Sequence, residues 1–507
     1  MAEVKVIDFI ILVTLFILPF STVNARETEI QDKKKIEIIH TDLMVNQGEM
    51  RRLLGNVKFK HNETYMTCDS AHFFPLKNLI EAYSKVHIYK GDTVHLYGEY
   101  LLYDSDTEYA LVKDSVILID NETTLYTDHI EYDMINETAI YTTGGRIINQ
   151  DNVLTSIIGI YYTETEIFNF KDSVELVNPD YTMYSDTLEY HTISEVAYFF
   201  GPSQIIGDSI EARCNRGWHD TKNEISLLMD KAYIDNKVQI VTGDSLYYEA
   251  ERGFGTANYD VTIRDTEQEI IVKGNESWYY KEPERFMITD SAQFIQVNED
   301  DYLFLHADTL RSHTIQDSTM DYRLVRAFYG CRIYSQDLQA KCDSLSYSFR
   351  DSVIRLYYRP VLWSDANQLF ADSMALFTEN KAMHKMELYN NAFVIEEVDS
   401  SRYNQLKGKN LTGYFRDNKL YKIEIRGNSE KIYFAIEEDE LVGVDQSTCV
   451  NMDIYLEDGK IKELYMLDNP EGTLDPPLHT MPSLKRLENF QWYEAIRPKN
   501  RFDIFRE

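Results

Sequence analysis

The feature that most constrains this chain is an internal repeat of about 29 residues. The motif DHIEY at 128–132 returns as DTLEY at 186–190, DSLYY at 244–248 and DSLSY at 343–347. Weaker copies begin at Asp69, Glu99, Asn275, Asp308, Asp372 and Asn410. From Asp69 through Glu99, Asp128 and Asp186 to Asp244 the steps are 30, 29, 58 and 58 residues, and the longer gaps hold degenerate copies at 157–161 and 214–218. Beyond Asp244 the steps loosen to 31, 33, 35, 29 and 38 residues, the drift that turn insertions introduce into an array. A chain with such a period folds by stacking about a dozen units, each covering the apolar face of the next.

Within a unit the third residue is mostly apolar and the fifth mostly aromatic. Side chains two apart on a strand share a face. The pattern therefore predicts that Ile130 and Tyr132, Leu188 and Tyr190, Leu246 and Tyr248, and Leu345 and Tyr347 point inward together. The acid opening each unit is read as a turn or strand-end residue. A second strand follows in each unit, as at 110–119, 257–263 and 327–333. Turn signals such as Asn121-Glu122, Asn178-Pro179-Asp180, Asn236-Lys237 and Gly459 separate the strands.

No apolar pattern of helical period is sustained outside the N-terminus. The 37 tyrosines, against 21 glycines and 11 prolines, fit strands better than linkers. Four-stranded propeller blades need a longer period, and the Asn or Gly ladders of a parallel β-helix are missing. The prediction is an all-β fold: two facing sheets extended by antiparallel repetition, with an apolar space between them.

The formal net charge of −33 excludes nucleic acid as a natural partner, because phosphate binding needs an excess of Lys and Arg. Such acidity otherwise describes a soluble, self-repelling surface. At the N-terminus, Lys5, the apolar run FIILVTLFILPF at 9–20 and Val23-Asn24-Ala25 read as a signal peptide of residues 1–25. The run is shorter than the roughly 20 apolar residues a spanning helix requires. No cysteine closes it, which argues against a lipoprotein anchor. The five cysteines, Cys68, Cys214, Cys331, Cys342 and Cys449, form no disulfide framework. Antiparallel neighbours permit Cys331 and Cys342 to pair but do not require it.

No catalytic constellation, metal-ligand spacing or cofactor motif stands out. A dozen copies of one acid are a structural repeat, whereas an active site needs a single convergent set. The expectation is a protein without enzymatic activity, cofactor or metal. Two rivals stay open: a cell-surface structural or glycan-binding β-solenoid, which exposed tyrosine rows would favour, and a solenoid lyase or hydrolase, which needs acids clustered on one outer face.

The unit starts of the form Asp-Ser-Leu-x-Tyr, the turn Gly55-Asn56-Val57 after IIHTD at 38–42, and the degenerate turns Gly144-Gly145 and RGNS at 426–429 resemble the OstA/LptA family of lipopolysaccharide-transport proteins. The resemblance covers roughly 36–467. It implies a repetitive β-jellyroll, an elongated open trough whose interior receives the acyl chains of lipopolysaccharide. The inward residues named above are then lipid-groove candidates. It also implies a periplasmic location towards the outer membrane, and partnership with other Lpt-type components or with itself by edge-strand pairing. The expected domains are a short polar segment at 26–35, OstA-like repeats at 36–267, more divergent repeats at 268–467, and a Pro-marked tail at 468–507. The tail shows no series of barrel strands, unlike the full-length LptD class. It is read as a disordered or capping tail in preference to a docking segment.

Overall fold

The computed structural model describes residues 35–297, 302–318, 320–379, 382–416, 419–437, 440–457, 460–476 and 485–506. The expected signal peptide lies outside the described residues. The rest forms one antiparallel sheet of 38 strands, in which successive units stack along a single axis. The strand Leu79–Lys90, for example, pairs with Thr64–Phe74 on one side and Val94–Asp104 on the other.

The long strands are creased at the middle. In Leu79–Lys90 the register slips between Tyr83 and Val86, where Ser84 and Lys85 adopt φ of 62° and 51°. Two successive left-handed residues act as a bulge that turns the strand onto a new plane. The same device recurs at Asp114-Ser115, Asp172-Ser173 and Asp230-Lys231. The short polar residues among them tolerate this conformation better than β-branched ones. Each crease splits the sheet into two half-sheets that face one another. One contains 79–83, 100–104 and 109–113; the other contains 86–90, 94–98 and 116–120.

Opposite each left-handed pair the partner strand carries a small residue: Cys68, Gly98, Thr127, Ser156, Ser185, Cys214 and Gly243 in turn. Crowding explains the choice, since a β-carbon on Gly98 would stand 2.4 Å from Val112 Cγ1. The repeated acid follows immediately. Asp69, Glu99, Asp128, Asp186 and Asp244 point outward and are exposed. Asp69 lies 3.2 Å from Lys85 Nζ, and the Lys85 backbone N–H donates to Glu99 at 3.4 Å. The acids thus brace the crease in mid-strand; they are not the turn or strand-end residues expected. Leu96 and Gly98, just before Glu99, face inward on the same strand as Leu101 and Tyr103. Their alternation is one residue out of phase because the chain bends between them.

Inner residues of both half-sheets, such as Ile80, Ala82 and Leu101 from one and Val86, Ile88 and Leu96 from the other, join a single apolar core that runs from Ile36 to Ile454. Each fully buried Leu or Ile contributes about 1.5–3 kcal/mol. The ladder passes the expected boundary near 267 without a break, since Phe254–Asp265 pairs with Ile270–Tyr280. From Arg285 to Glu379 the half-sheets are carried by separate short strands, such as Arg285–Thr289 and Gln293–Val297, and long creased strands return with Ala382–Glu397. The last strand among the described residues, Glu471–Asp475, still pairs with Glu440–Glu457.

Residues 485–506 form an ordered strap along the outer surface of the second half-sheet. Gln405 donates to the Lys485 carbonyl at 3.1 Å and accepts from the Leu487 N–H at 2.8 Å. Gln368 repeats the arrangement with the Gln491 carbonyl at 2.7 Å and the Tyr493 N–H at 2.6 Å. Arg497 donates to Gln339 at 2.8 Å. Leu487, Phe490 and Trp492 pack on Phe393, Ile395 and Phe434, and Ile504 packs on Ile295 and Phe304. The strap thereby covers an apolar row on the outside of the sheet and runs back against the order of the units.

Candidate functional site

The site positioned by this fold is the space between the half-sheets. The third-position candidates Ile130, Leu188, Leu246 and Leu345 are buried in the common core. Among the fifth positions Tyr190 is buried there and Tyr132 packs partly against it, while Tyr248 and Tyr347 are half-buried. All eight point to the same side of the first half-sheet, as the alternation requires. The array places them in two columns: the third residues nearer the crease, the fifth nearer the rim.

The facing wall comes from residues that the unit motif does not contain. Val86, Ile88, Leu118, Leu176 and Met183 line it. Their signal is the alternation upstream of each acid. In this structure the chain's own side chains fill the space, with Ile130 and Leu188 at 0% exposure.

Away from the crease the two rims meet. His61, at the end of its strand on one half-sheet, hydrogen-bonds through Nδ1 to the Tyr103 hydroxyl of the other at 2.6 Å, and both are buried. The Tyr161 hydroxyl donates to Asp120 across the same gap at 2.7 Å. The ring of Tyr181 meets His219 edge-on at 5.2 Å. Exposed turns add two further bridges: Asn62 donates to Glu108 at 3.2 Å, and Lys90 stands 3.5 Å from Glu137. The rim partners on one side, Tyr103, Tyr161 and His219, follow one another every 58 residues, two units apart.

Burial sets the charge state of these groups. It raises the Asp120 carboxyl above its usual range, an effect that the Tyr161 hydrogen bond opposes. It lowers His219 to about 4, so that this imidazole is neutral at neutral pH. Burial also raises the hydroxyls of Tyr103 and Tyr161 well above the ordinary phenol value. At His61–Tyr103 and Asp120–Tyr161 the mouth of the trough is therefore closed by polar groups held by one another, above an apolar interior, whereas His219 meets Tyr181 only through its ring and bonds Ser226 at 2.8 Å.

The cysteines all lie at or beside the crease and are free thiols, Cys331 and Cys342 included. Cys342 donates its backbone N–H to the Cys331 carbonyl at 3.0 Å. Among the described residues no group of three His, Cys, Asp or Glu is arranged to hold a metal ion.

A creased antiparallel sheet around one continuous apolar interior defines a repetitive β-trough of the jellyroll kind. Residues 33–186 match the family model described as OstA-like protein. The OstA/LptA-like assignment made from the repeat is borne out over that segment. Comparison with curated proteins finds no match.

Proposed function

We propose that the protein is an exported lipopolysaccharide carrier of the periplasm. It shields acyl chains between its half-sheets and bridges towards the outer membrane without a chemical step. The observation that carries this reading is the unbroken apolar interior from Ile36 to Ile454. Burial of one methylene is worth about 0.8 kcal/mol, so a twelve-carbon acyl chain resists transfer through water by roughly 10 kcal/mol. An apolar path along the array removes most of that barrier. The OstA-like match over residues 33–186 supports the same reading.

The test is capture of lipopolysaccharide by purified mature protein carrying photoreactive residues at position 190, 246 or 248. Capture at these positions, with little at Glu189 on the opposite face, is the expected result. Capture at position 189 alone would refute carriage in the interior.

One observation favours the alternative, a surface structural or glycan-binding protein. On the outer face Tyr65 stacks on Tyr89 at 5.3 Å and His87 on Tyr97 at 4.3 Å, with Lys58 and Lys60 over the Tyr65 ring. Aromatic platforms of this kind suit sugar rings. Glycan binding that is lost in Tyr65→Ala and Tyr97→Ala, with no lipid captured inside, would decide for it.

A further inference from the structure

The bridges across the mouth are unlike the rest of the interior. Nearer the crease the half-sheets meet chiefly through apolar side chains, the buried Tyr141–Ser156 hydrogen bond at 2.6 Å being an exception. At the rims they meet through His61–Tyr103, Asp120–Tyr161 and Tyr181–His219, with Asn62–Glu108 and Lys90–Glu137 outside them. A seam that never opens gains nothing from such pairs, because apolar side chains of similar shape close a core as well or better. Hydrogen-bonded pairs have a different property. When they separate into water, each partner exchanges one hydrogen bond for another, and the net loss is small. Apolar groups parted in the same way lose their whole burial energy. A rim closed by the pairs His61–Tyr103 and Asp120–Tyr161, with a single edge-on ring contact at Tyr181–His219, is therefore held shut weakly and reversibly over an interior that is held strongly.

We propose that the rim seam between Asn62 and His219 is a lateral door, through which an amphiphile slides its acyl chains sideways into the trough. Its polar head group then remains among the rim residues. The proposal rests on the carrier reading above and adds the route of loading. His61, Tyr103, Asp120, Tyr161, Tyr181 and His219 are the latches, and they position the rims without touching the acyl chain. The door coincides largely with the OstA-like segment, residues 33–186. Loading from the two ends of the array is the competing route.

The experiment uses the full mature chain with a photoreactive residue at position 188 and purified lipopolysaccharide. Two double variants, Asn62→Cys with Glu108→Cys and Lys90→Cys with Glu137→Cys, place thiols on exposed turns that already touch across the mouth. The shortest bis-methanethiosulfonate reagent ties each pair, and a reductant releases it. Native Cys68 and Cys214 do not compete, because burial pushes their thiols up to about 12 and about 11.

Tying the pair in either variant is expected to slow capture at least ten-fold, with full recovery on reduction. In the untied protein, Tyr103→Phe or Tyr161→Phe is expected to speed capture about five-fold, the factor one net hydrogen bond is worth. Capture at an unchanged rate in the tied protein overturns the door and assigns loading to the ends. If no form captures lipid, tied or untied, the carrier reading fails and the door with it.

Discussion

Replacing Gln368 by leucine preserves most of the side-chain volume and removes both of its bonds to the C-terminal strap. Gln368 is fully buried. It donates to the Gln491 carbonyl at 2.7 Å and accepts from the Tyr493 N–H at 2.6 Å. The variant leaves that carbonyl and that N–H facing an apolar side chain. Two net hydrogen bonds contribute about 1 kcal/mol each, and a buried group left unpaired costs about 1–3 kcal/mol. The strap segment around residue 493 should therefore lose about 2–4 kcal/mol of local stability. Because a factor of ten corresponds to about 1.4 kcal/mol, that is roughly a 30- to 1,000-fold rise in local opening. Hydrogen exchange followed by mass spectrometry reads this directly at the Tyr493 amide. Peptides from the crease, such as those containing Val86 and Ile88, are expected to exchange as in the parent protein. Unchanged exchange at Tyr493 would refute the claim that the glutamine holds the strap. Gln405→Leu, which removes the equivalent bonds to Lys485 and Leu487, should release the segment around 487 in the same way.

Gly98→Val forces a branched side chain against Val112 at the crease, where a β-carbon alone would already stand 2.4 Å from its Cγ1. Overpacking of this kind costs about 1–3 kcal/mol, and a double-mutant cycle with Val112→Ala should recover at least part of it in local exchange. The His219 imidazole, lowered from 6.5 to about 4 by burial, binds its proton more readily in the unfolded than in the folded chain. Stability therefore falls as pH drops from 6.5 towards 4, by about 3 kcal/mol locally for a shift of that size. His219→Phe should flatten this dependence in a pH series of exchange at Tyr181. A slope that persists in the variant would place the titration elsewhere.

Much of this molecule can be read from local pattern. Alternation with a period of two is a property of the strand itself, so Ile130, Leu188 and Leu246 face the core whatever surrounds them. The recurrence of the unit sets the all-β class and the stacking of units, and the third and fifth residues identify one wall of the interior. Other features have weaker local signals. The acid at the head of each unit looks like a strand end because short acidic residues favour turns; only the left-handed pair on the neighbouring strand, such as Ser84-Lys85 beside Glu99, reveals a crease.

The remaining decisions belong to tertiary structure, because they join residues whose separation is set by the packing of the half-sheets. Residues 61 and 103, or 120 and 161, meet because the crease brings opposite rims together two or more strands apart. Their identities, His with Tyr and Asp with Tyr, carry no mark of that pairing. The tail is a sharper case. Its prolines and charges describe a segment without regular structure; it opens with one short strand, Glu471–Asp475, and residues 485–506 hold no further strand. Yet Gln368 and Gln405 supply from the sheet the hydrogen bonds that its backbone cannot make locally, and Leu487, Phe490 and Ile504 find apolar rows to cover. Composition determined that the chain would make strands with one apolar face; the packing of distant units decided what closes the mouth and what covers the outside.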